Sequence, residues 1–145
     1  MIVLDVGPGT KYDNISKPET YWPDAIVETL DISPGNLPTY VHDLTAPIPD
    51  SLWCTFAGVH ASHILEHVDR MKIHQAAQNL FDLLEPGGKL VVLVPSMEYV
   101  LGELANGHDN LTTQSLLYGG QDNPYAYHKI LFSMNSLRQL LQEVG

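Results

Sequence analysis

The hydrophobic positions of this chain fall into two unbroken runs and two helical stripes, with weaker patterns between them. Ile2-Val3-Leu4-Asp5-Val6 is apolar but for Asp5 and stops at Gly7-Pro8-Gly9, while Leu90-Val91-Val92-Leu93-Val94 is apolar throughout and is closed by Pro95. Continuous runs of this length, bounded by glycine or proline, read as strands buried on both faces of a parallel sheet. Ala25–Leu30, Thr39–His42 and Thr55–Ala61 read as further strands, the last weakened by Gly58. The clearest helix is expected over Arg70–Leu84, where Ile73, Ala76, Ala77, Leu80, Phe81 and Leu84 share one face, with Asp69 as N-cap and Pro86-Gly87-Gly88 as the stop. Ser96 caps a short helix through Leu104. Residues 105–128, rich in Gly, Asn, Asp and Tyr, read as a loop with one helical turn near Ser115–Tyr118. Ser133 caps a last helix with the stripe Leu137, Leu140, Leu141 and Val144 and with Gly145 at its C-cap. Residues 10–24 hold Pro18 and Pro23 and little helical period, so the first crossover is short. Strands alternating with helices predict an α/β fold: a doubly wound, mostly parallel sheet of five strands in the order 3-2-1-4-5, with helices on both faces. At 145 residues the chain is expected to form a single domain, 1–145.

Charge narrows the partners. The formal net charge is -10 with only 7 Lys and Arg, too few for a phosphate-tracking stripe, so a nucleic-acid partner is not expected. No apolar run approaches the ~20 residues that span a bilayer, and no signal-peptide pattern follows Met1, so neither membrane insertion nor secretion is expected. One cysteine, Cys54, leaves no internal disulfide and fits a cytoplasmic location.

Three carboxylates fall at predicted carboxyl ends of strands, where open α/β sheets bind ligands. Asp5 directly precedes Gly7-Pro8-Gly9, a bend that lets a ligand approach the main chain without a Cβ in the way. A carboxylate there would repel a pyrophosphate and welcome a cationic ligand. The third glycine of a Gly-x-Gly-x-x-Gly fingerprint would fall at Tyr12, a departure from the nicotinamide pattern. Asp31, about 20 residues beyond the glycines, is placed to accept from a ribose diol. Asp43 is placed to accept an adenine amine. Singly, Asp31 and Asp43 read as turn residues, and a structural carboxylate is the lesser reading of Asp5; together the three read as a ligand rim. His60, His63 and His67 are spaced by three and four, but Glu66 directly precedes the second histidine of the His63–His67 pair and makes no His-Glu-x-x-His, so no metal site is expected. His63 and His128 are the candidates for a catalytic base, His128 lying in the loop expected to cover an acceptor.

These segments together resemble a known family. Leu4-Asp5-Val6-Gly7-Pro8-Gly9 resembles motif I of class I, Rossmann-like methyltransferases, and Thr29-Leu30-Asp31-Ile32 their second-strand acidic motif. His42-Asp43-Leu44 is similar to their third-strand aspartate. Phe56 to His67, ending in Leu65-Glu66-His67, and Leu83 to Leu90 around Pro86-Gly87-Gly88 are similar to methyltransferases of the ubiquinone-biosynthesis and methyltransferase type 11 groups. The resemblance runs from residue 2 to about 95. It implies S-adenosylmethionine as cofactor and S-adenosylhomocysteine as product. Asp5, Gly7 and Gly9 would lie around the methionine part, Asp31 and Ile32 at the ribose, Asp43 and Leu44 near the adenine, and Ala61 and Ser62 close by. Three features depart from the family: the first crossover is proline-broken, Thr10-Lys11 follow the second glycine, and Ala57 stands where the family often has Asp. Family members continue into sixth and seventh strands. A stop at Gly145 would leave a sheet edge to be covered or paired, which favours a homo-oligomer, a natural minimal form or an incomplete chain; of these a homo-oligomer is the expected partner state.

The function expected from this reading is transfer of a methyl group to a small-molecule, sugar or lipid-linked acceptor by in-line displacement. The rival readings are a regulatory or inactive module that keeps cofactor affinity without turnover, and a nicotinamide-dependent oxidoreductase, which Asp5 and Tyr12 disfavour.

Overall fold

The computed structural model describes residues 1–9 and 16–145. Five strands, β1 (Ile2–Val6), β2 (Ile26–Asp31), β3 (Tyr40–Val41), β4 (Phe56–Ser62) and β5 (Leu84–Leu93), form one sheet in the order β3-β2-β1-β4-β5, and every neighbouring pair is parallel. This is the expected order. Among the described residues four α-helices accompany it: α1 (Ile73–Asp82), α2 (Met97–Ala105), α3 (Leu111–Tyr118) and α4 (Met134–Val144).

Alternation along the strands sorts their side chains onto two unlike faces. Leu4 and Val6 of β1, Leu30 of β2 and Val59 and Ala61 of β4 join Ile73, Ala76, Ala77 and Leu80 of α1 in the main hydrophobic cluster. Leu90 and Val92 of β5 and Leu137, Leu140 and Val144 of α4 pack on the same cluster. The opposite face carries Val3, Asp5, Gly58 and His60, and here the expected layer of helix is replaced. Among the described residues the crossovers from β1 to β2 and from β2 to β3 contain only 3-10 turns, Pro18–Thr20 and Pro34–Asn36. The cover is aromatic. A Cβ built on Gly58 would lie 2.6 Å from Cε2 of Trp22, so the indole rests directly on the strand, and Lys89 Nζ sits 5.5 Å from the ring centroids of both Tyr21 and Trp22. Gly58, which weakens the strand pattern in sequence, is the gap that admits Trp22.

Element boundaries move for identifiable reasons. Asp69 does not cap α1: its carboxylate pairs with Lys129 Nζ at 3.0 Å, its carbonyl takes the Lys72 amide, and the helix begins only at Ile73. Pro86-Gly87-Gly88 does not end the helix, which has closed by Leu83; these residues lie within β5, in a register shift between the Phe56–Leu84 and Gly58–Lys89 rungs. A proline is tolerated there because β5 is an edge strand with an irregularity. Ser96 and Ser133 cap α2 and α4 as expected, Ser133 in a reciprocal capping box with Ser136. The helical turn near Ser115–Tyr118 is the end of a longer helix, because the Asn110 carboxamide oxygen accepts from the Thr112 and Thr113 amides and starts it earlier. Thr10, Lys11 and Tyr12, which carry the departure from a third glycine, lie outside the described residues.

Gly58→Ala should force the Trp22 indole off the sheet. We expect a loss of about 1–3 kcal/mol in chemical unfolding, from overpacking. A red-shifted tryptophan emission should accompany it, since the other tryptophan, Trp53, is already exposed.

Candidate functional site at the carboxyl rim

Parallel strands end at one rim, and register places the predicted residues along it. Val6 pairs with Leu30 on one side and with Ala61 on the other, so Asp31 and Ser62 both lie one rung beyond β1, flanking the start of the Gly7 bend. Across three strands spaced about 4.8 Å apart, that puts Asp31 and Ser62 on the order of 10 Å from each other. Gly7 turns with φ +63° and Gly9 with φ +60°, the left-handed region that glycine enters without strain, and the Gly7 amide closes the bend on the Leu30 carbonyl at 2.7 Å. A Cβ at Gly7 would also collide with Ile64 Cδ1, at 2.0 Å.

The three carboxylates reach the rim differently. Asp5, only 4% exposed, lies one rung inside it, and its Oδ1 accepts from Nδ1 of the fully buried His60 at 2.8 Å. His60 Nε2 is 3.3 Å from Ser16 Oγ, and its ring packs 5.8 Å from that of Tyr21. His60 is therefore a satisfied buried histidine that ties β4 to β1. Asp31, 6% exposed, accepts from the Ser33 amide on Oδ1 (2.8 Å) and from Asn36 Nδ2 on Oδ2 (3.0 Å). Each carboxylate oxygen keeps a further lone pair. Asp43 takes both the Thr45 amide (2.8 Å) and the Thr45 hydroxyl (2.9 Å) on Oδ1. Partial burial works to raise the Asp43 pKa, but the two Thr45 hydrogen bonds and the nearby Lys72 and His42 outweigh it and hold the carboxyl below its ordinary value. The loop after Asp43 is pinned by Asn79 of α1, whose Nδ2 donates to the carbonyls of Leu44 (2.6 Å) and Ala46 (2.7 Å). Asn79 is buried among apolar neighbours, and the helical stripe gave no hint of it.

Of the remaining expected site residues, Ile32 is exposed just past β2, while the side chains of Leu44 and Ala61 belong to the hydrophobic cluster. Those two can contribute only through their backbones. His63 follows β4 with φ +55°, a strained conformation for a non-glycine residue, and its Nδ1 meets Glu66 Oε1 at 3.1 Å. His128 sits in the loop after α3, beside His67 with ring centroids 4.8 Å apart. It is thus brought to the turn after β4 rather than to the Asp31–Asp43 end of the rim.

Buried polar atoms in proteins are nearly always paired, so the exceptions are informative. Among the described residues three buried side-chain atoms have no partner: His42 Nε2, Ser62 Oγ and Glu66 Oε2. His42 directly follows β3, Ser62 ends β4, and Glu66 lies in the 3-10 turn Leu65–His67 just beyond it. All three lie at the carboxyl side of the sheet. The open groove of about 520 Å³ between α2 and α3, lined by Tyr99, Glu103, Asn110, Leu111, Thr112 and Thr113, has no such atom. Chemistry therefore points to the rim and not to that groove. Glu66, wholly buried without a cation beside it, is the residue the sequence reading passed over; in the chain it looks like an ordinary member of Leu65-Glu66-His67.

Comparison with known proteins bears on the fold and the family. The family described as "methyltransferase domain" matches residues 1–145. Among curated proteins none matches the chain. A SAM-dependent methyltransferase from Methanosarcina mazei is similar at 16% identity and TM-score 0.65 over 99% of this chain and 78% of that one. A SAM-dependent methyltransferase from Archaeoglobus fulgidus is similar at 17% identity and TM-score 0.63, over 99% of this chain and 60% of its own. The 1,6-didemethyltoxoflavin-N1-methyltransferase of Burkholderia thailandensis, solved with its substrate and S-adenosylhomocysteine, is similar at 15% identity and TM-score 0.61, over 99% and 59%. The chain thus spans less than two thirds of the latter two proteins. At these identities the likeness establishes the Rossmann-like fold, and the match along the whole chain establishes the family: this chain belongs to the methyltransferase domain family.

Proposed function

We propose that the chain binds S-adenosylmethionine over the carboxyl rim of β1, β2 and β3 and moves its methyl group to a small-molecule acceptor, sugar- or lipid-linked precursors included. The observation that carries this reading is the gathering of Asp5, Asp31 and Asp43 on one rim together with the unpartnered His42 Nε2 and Ser62 Oγ. Bound there, the cofactor supplies a sulfonium-activated methyl group that passes to a lone pair of the acceptor, leaving S-adenosylhomocysteine.

The residues fit that ligand. The Gly7–Gly9 bend exposes main chain without side chains, and Asp5 adds an acidic group beneath it for the ammonium of the methionine part. Asp31 retains lone pairs for the ribose diol, with Ile32 beside it. Asp43, kept ionised by Thr45, is an acceptor for the adenine amine, and Leu44 and Ala61 line the site through their backbones. Ser62 Oγ finds in the ligand the hydrogen bond it lacks in the protein. Methyl transfer from a sulfonium needs alignment and exclusion of water more than acid–base help, so a protein nucleophile is not required. If a proton must be accepted, His63 and His128, both at the turn after β4, are the candidates. The Nδ1 of His128 donates to the Leu116 carbonyl at 2.9 Å, which leaves its Nε2 free to accept.

Among the described residues no helix is long and apolar enough to cross a membrane. β5 ends the sheet with one edge unpaired, and we include in this reading a homo-oligomer that covers it.

Asp31→Ala should weaken S-adenosylmethionine binding by about 1–3 kcal/mol in calorimetry, through lost charge-assisted hydrogen bonds. Affinity equal to the parent's would move the ribose elsewhere. Incubation with S-adenosylmethionine and pooled acceptors should release S-adenosylhomocysteine; binding without turnover in every pool would make the chain a cofactor-sensing module. Tighter binding of NAD than of S-adenosylmethionine would overturn both readings. Sedimentation velocity should show a species larger than the 16.1 kDa chain, and a lone monomer would remove the oligomer.

A further inference from the structure

The turn after β4 holds a second constellation, separate from the carboxylates of β1 to β3. Glu66, His67 and His128 can each offer one ligand atom, and the three atoms lie within 4.8 Å of one another. Glu66 is wholly buried, with Oε1 engaged by His63 Nδ1 at 3.1 Å and Oε2 without any partner. A buried carboxylate oxygen with nothing to bond is costly, and a cation held between it and two imidazoles would satisfy it.

The two imidazoles are presented as ligands. His67 Nδ1 donates to the Tyr127 carbonyl at 3.0 Å, and His128 Nδ1 to the Leu116 carbonyl at 2.9 Å. A carbonyl can only accept, so both rings carry their proton on Nδ1 and leave the Nε2 lone pair free. A backbone carbonyl behind each ring is the outer support that metal-binding histidines ordinarily have.

The backbone holds the cluster together across a long stretch of chain. The Lys129 and Ile130 amides both donate to the Glu66 carbonyl, at 2.7 and 3.3 Å, and the Lys129 ammonium pairs with Asp69. The His128 amide is fixed on the Tyr118 carbonyl at 3.0 Å. His128 is therefore held against the 66–67 turn by bonds that do not involve its ring.

We propose that Glu66 Oε2, His67 Nε2 and His128 Nε2 form a binding site for a divalent transition-metal ion of the zinc type. Two neutral imidazoles and a carboxylate suit zinc or cobalt better than magnesium, which prefers oxygen and retained water. Three protein ligands leave a coordination position open, so the site is built to take an oxygen ligand from solution rather than to be a closed structural centre. His63, through Glu66 Oε1, acts as a positioning residue that orients the carboxylate. The metal site goes beyond the methyl-transfer reading and shares His128 with it, since a metal on His128 Nε2 removes that ring as a proton acceptor; a chain that bound zinc but no S-adenosylmethionine would retain the one and lose the other.

The test uses the full chain without a histidine tag, stripped by a chelator and titrated with Zn²⁺ against a chromophoric competitor. Co²⁺ serves as a spectroscopic probe. The parent should bind one equivalent, give the intense ligand-field absorption of a low-coordinate Co²⁺, and gain thermal stability with Zn²⁺. Glu66→Gln and His128→Gln should each lower the affinity about 100-fold or more, and His63→Gln about tenfold. His74→Gln, on a surface histidine paired with Glu143, should change nothing. Glu66→Gln should fold without metal, because the amide oxygen can still accept from His63 and the exchange is nearly isosteric. Should it fail to fold, His128→Gln, whose substitution leaves the main-chain clasp intact, carries the test alone. No binding by the parent, or parental affinity in His128→Gln, would overturn the site.

Discussion

A parallel sheet delivers every strand to the same rim, and the fold of this chain follows from that constraint. Each crossover must start there, so the bends after β1, β2, β3 and β4 are neighbours in space although their residues are scattered along the chain. Backbone at such a rim has left the ladder of the sheet and must find other partners. Gly7 finds the Leu30 carbonyl, Ser33 the Asp31 side chain, and Thr45 the Asp43 side chain. Asp31 and Asp43 are therefore turn-formers first. That role does not use up their acceptor capacity, because a carboxylate that accepts two hydrogen bonds still has lone pairs left.

Much of this was legible in the chain. The two apolar runs, the Ser96 and Ser133 caps and the placing of acidic residues at strand ends came from patterns that depend on near neighbours, and the strand order from the alternation of strands and helices taken with the family resemblance. What stayed hidden depends on distant partners. Asp69 looks like an N-cap until Lys129 takes its carboxylate. Gly58 looks like a flaw in a strand until Trp22 lies on it. Asn79 interrupts no periodicity, yet it anchors the loop after β3. The histidines show the same limit most clearly: spacing suggested pairing His63 with His67, whereas folding pairs His67 with His128 and leaves His63 to hold Glu66. Residue spacing reports contacts along one element and is silent about contacts made by a returning loop.

The two faces of the sheet also differ in what they ask of the sequence. The face under α1 is a conventional aliphatic core, in which Val, Leu and Ala can be exchanged at modest cost if volume is kept. The face under Tyr21 and Trp22 relies on a few particular fits: an indole on a glycine, a lysine beside two rings, and a buried Asp5–His60 pair. Isosteric replacement is not available for such contacts. Substitutions should therefore be tolerated unequally on the two sides of the same strands.

The amide bonds from Lys129 and Ile130 to the Glu66 carbonyl have a kinetic consequence. They close a loop of roughly sixty residues, a contact whose entropy cost is met only after the intervening sheet and helices are in place. The turn beyond β4 thus assembles late, and it can come undone early. Release of residues 127–130 would uncover it while the β1–β4 ladder stays intact, which makes this clasp a natural place for local opening in a sheet that is otherwise cooperative.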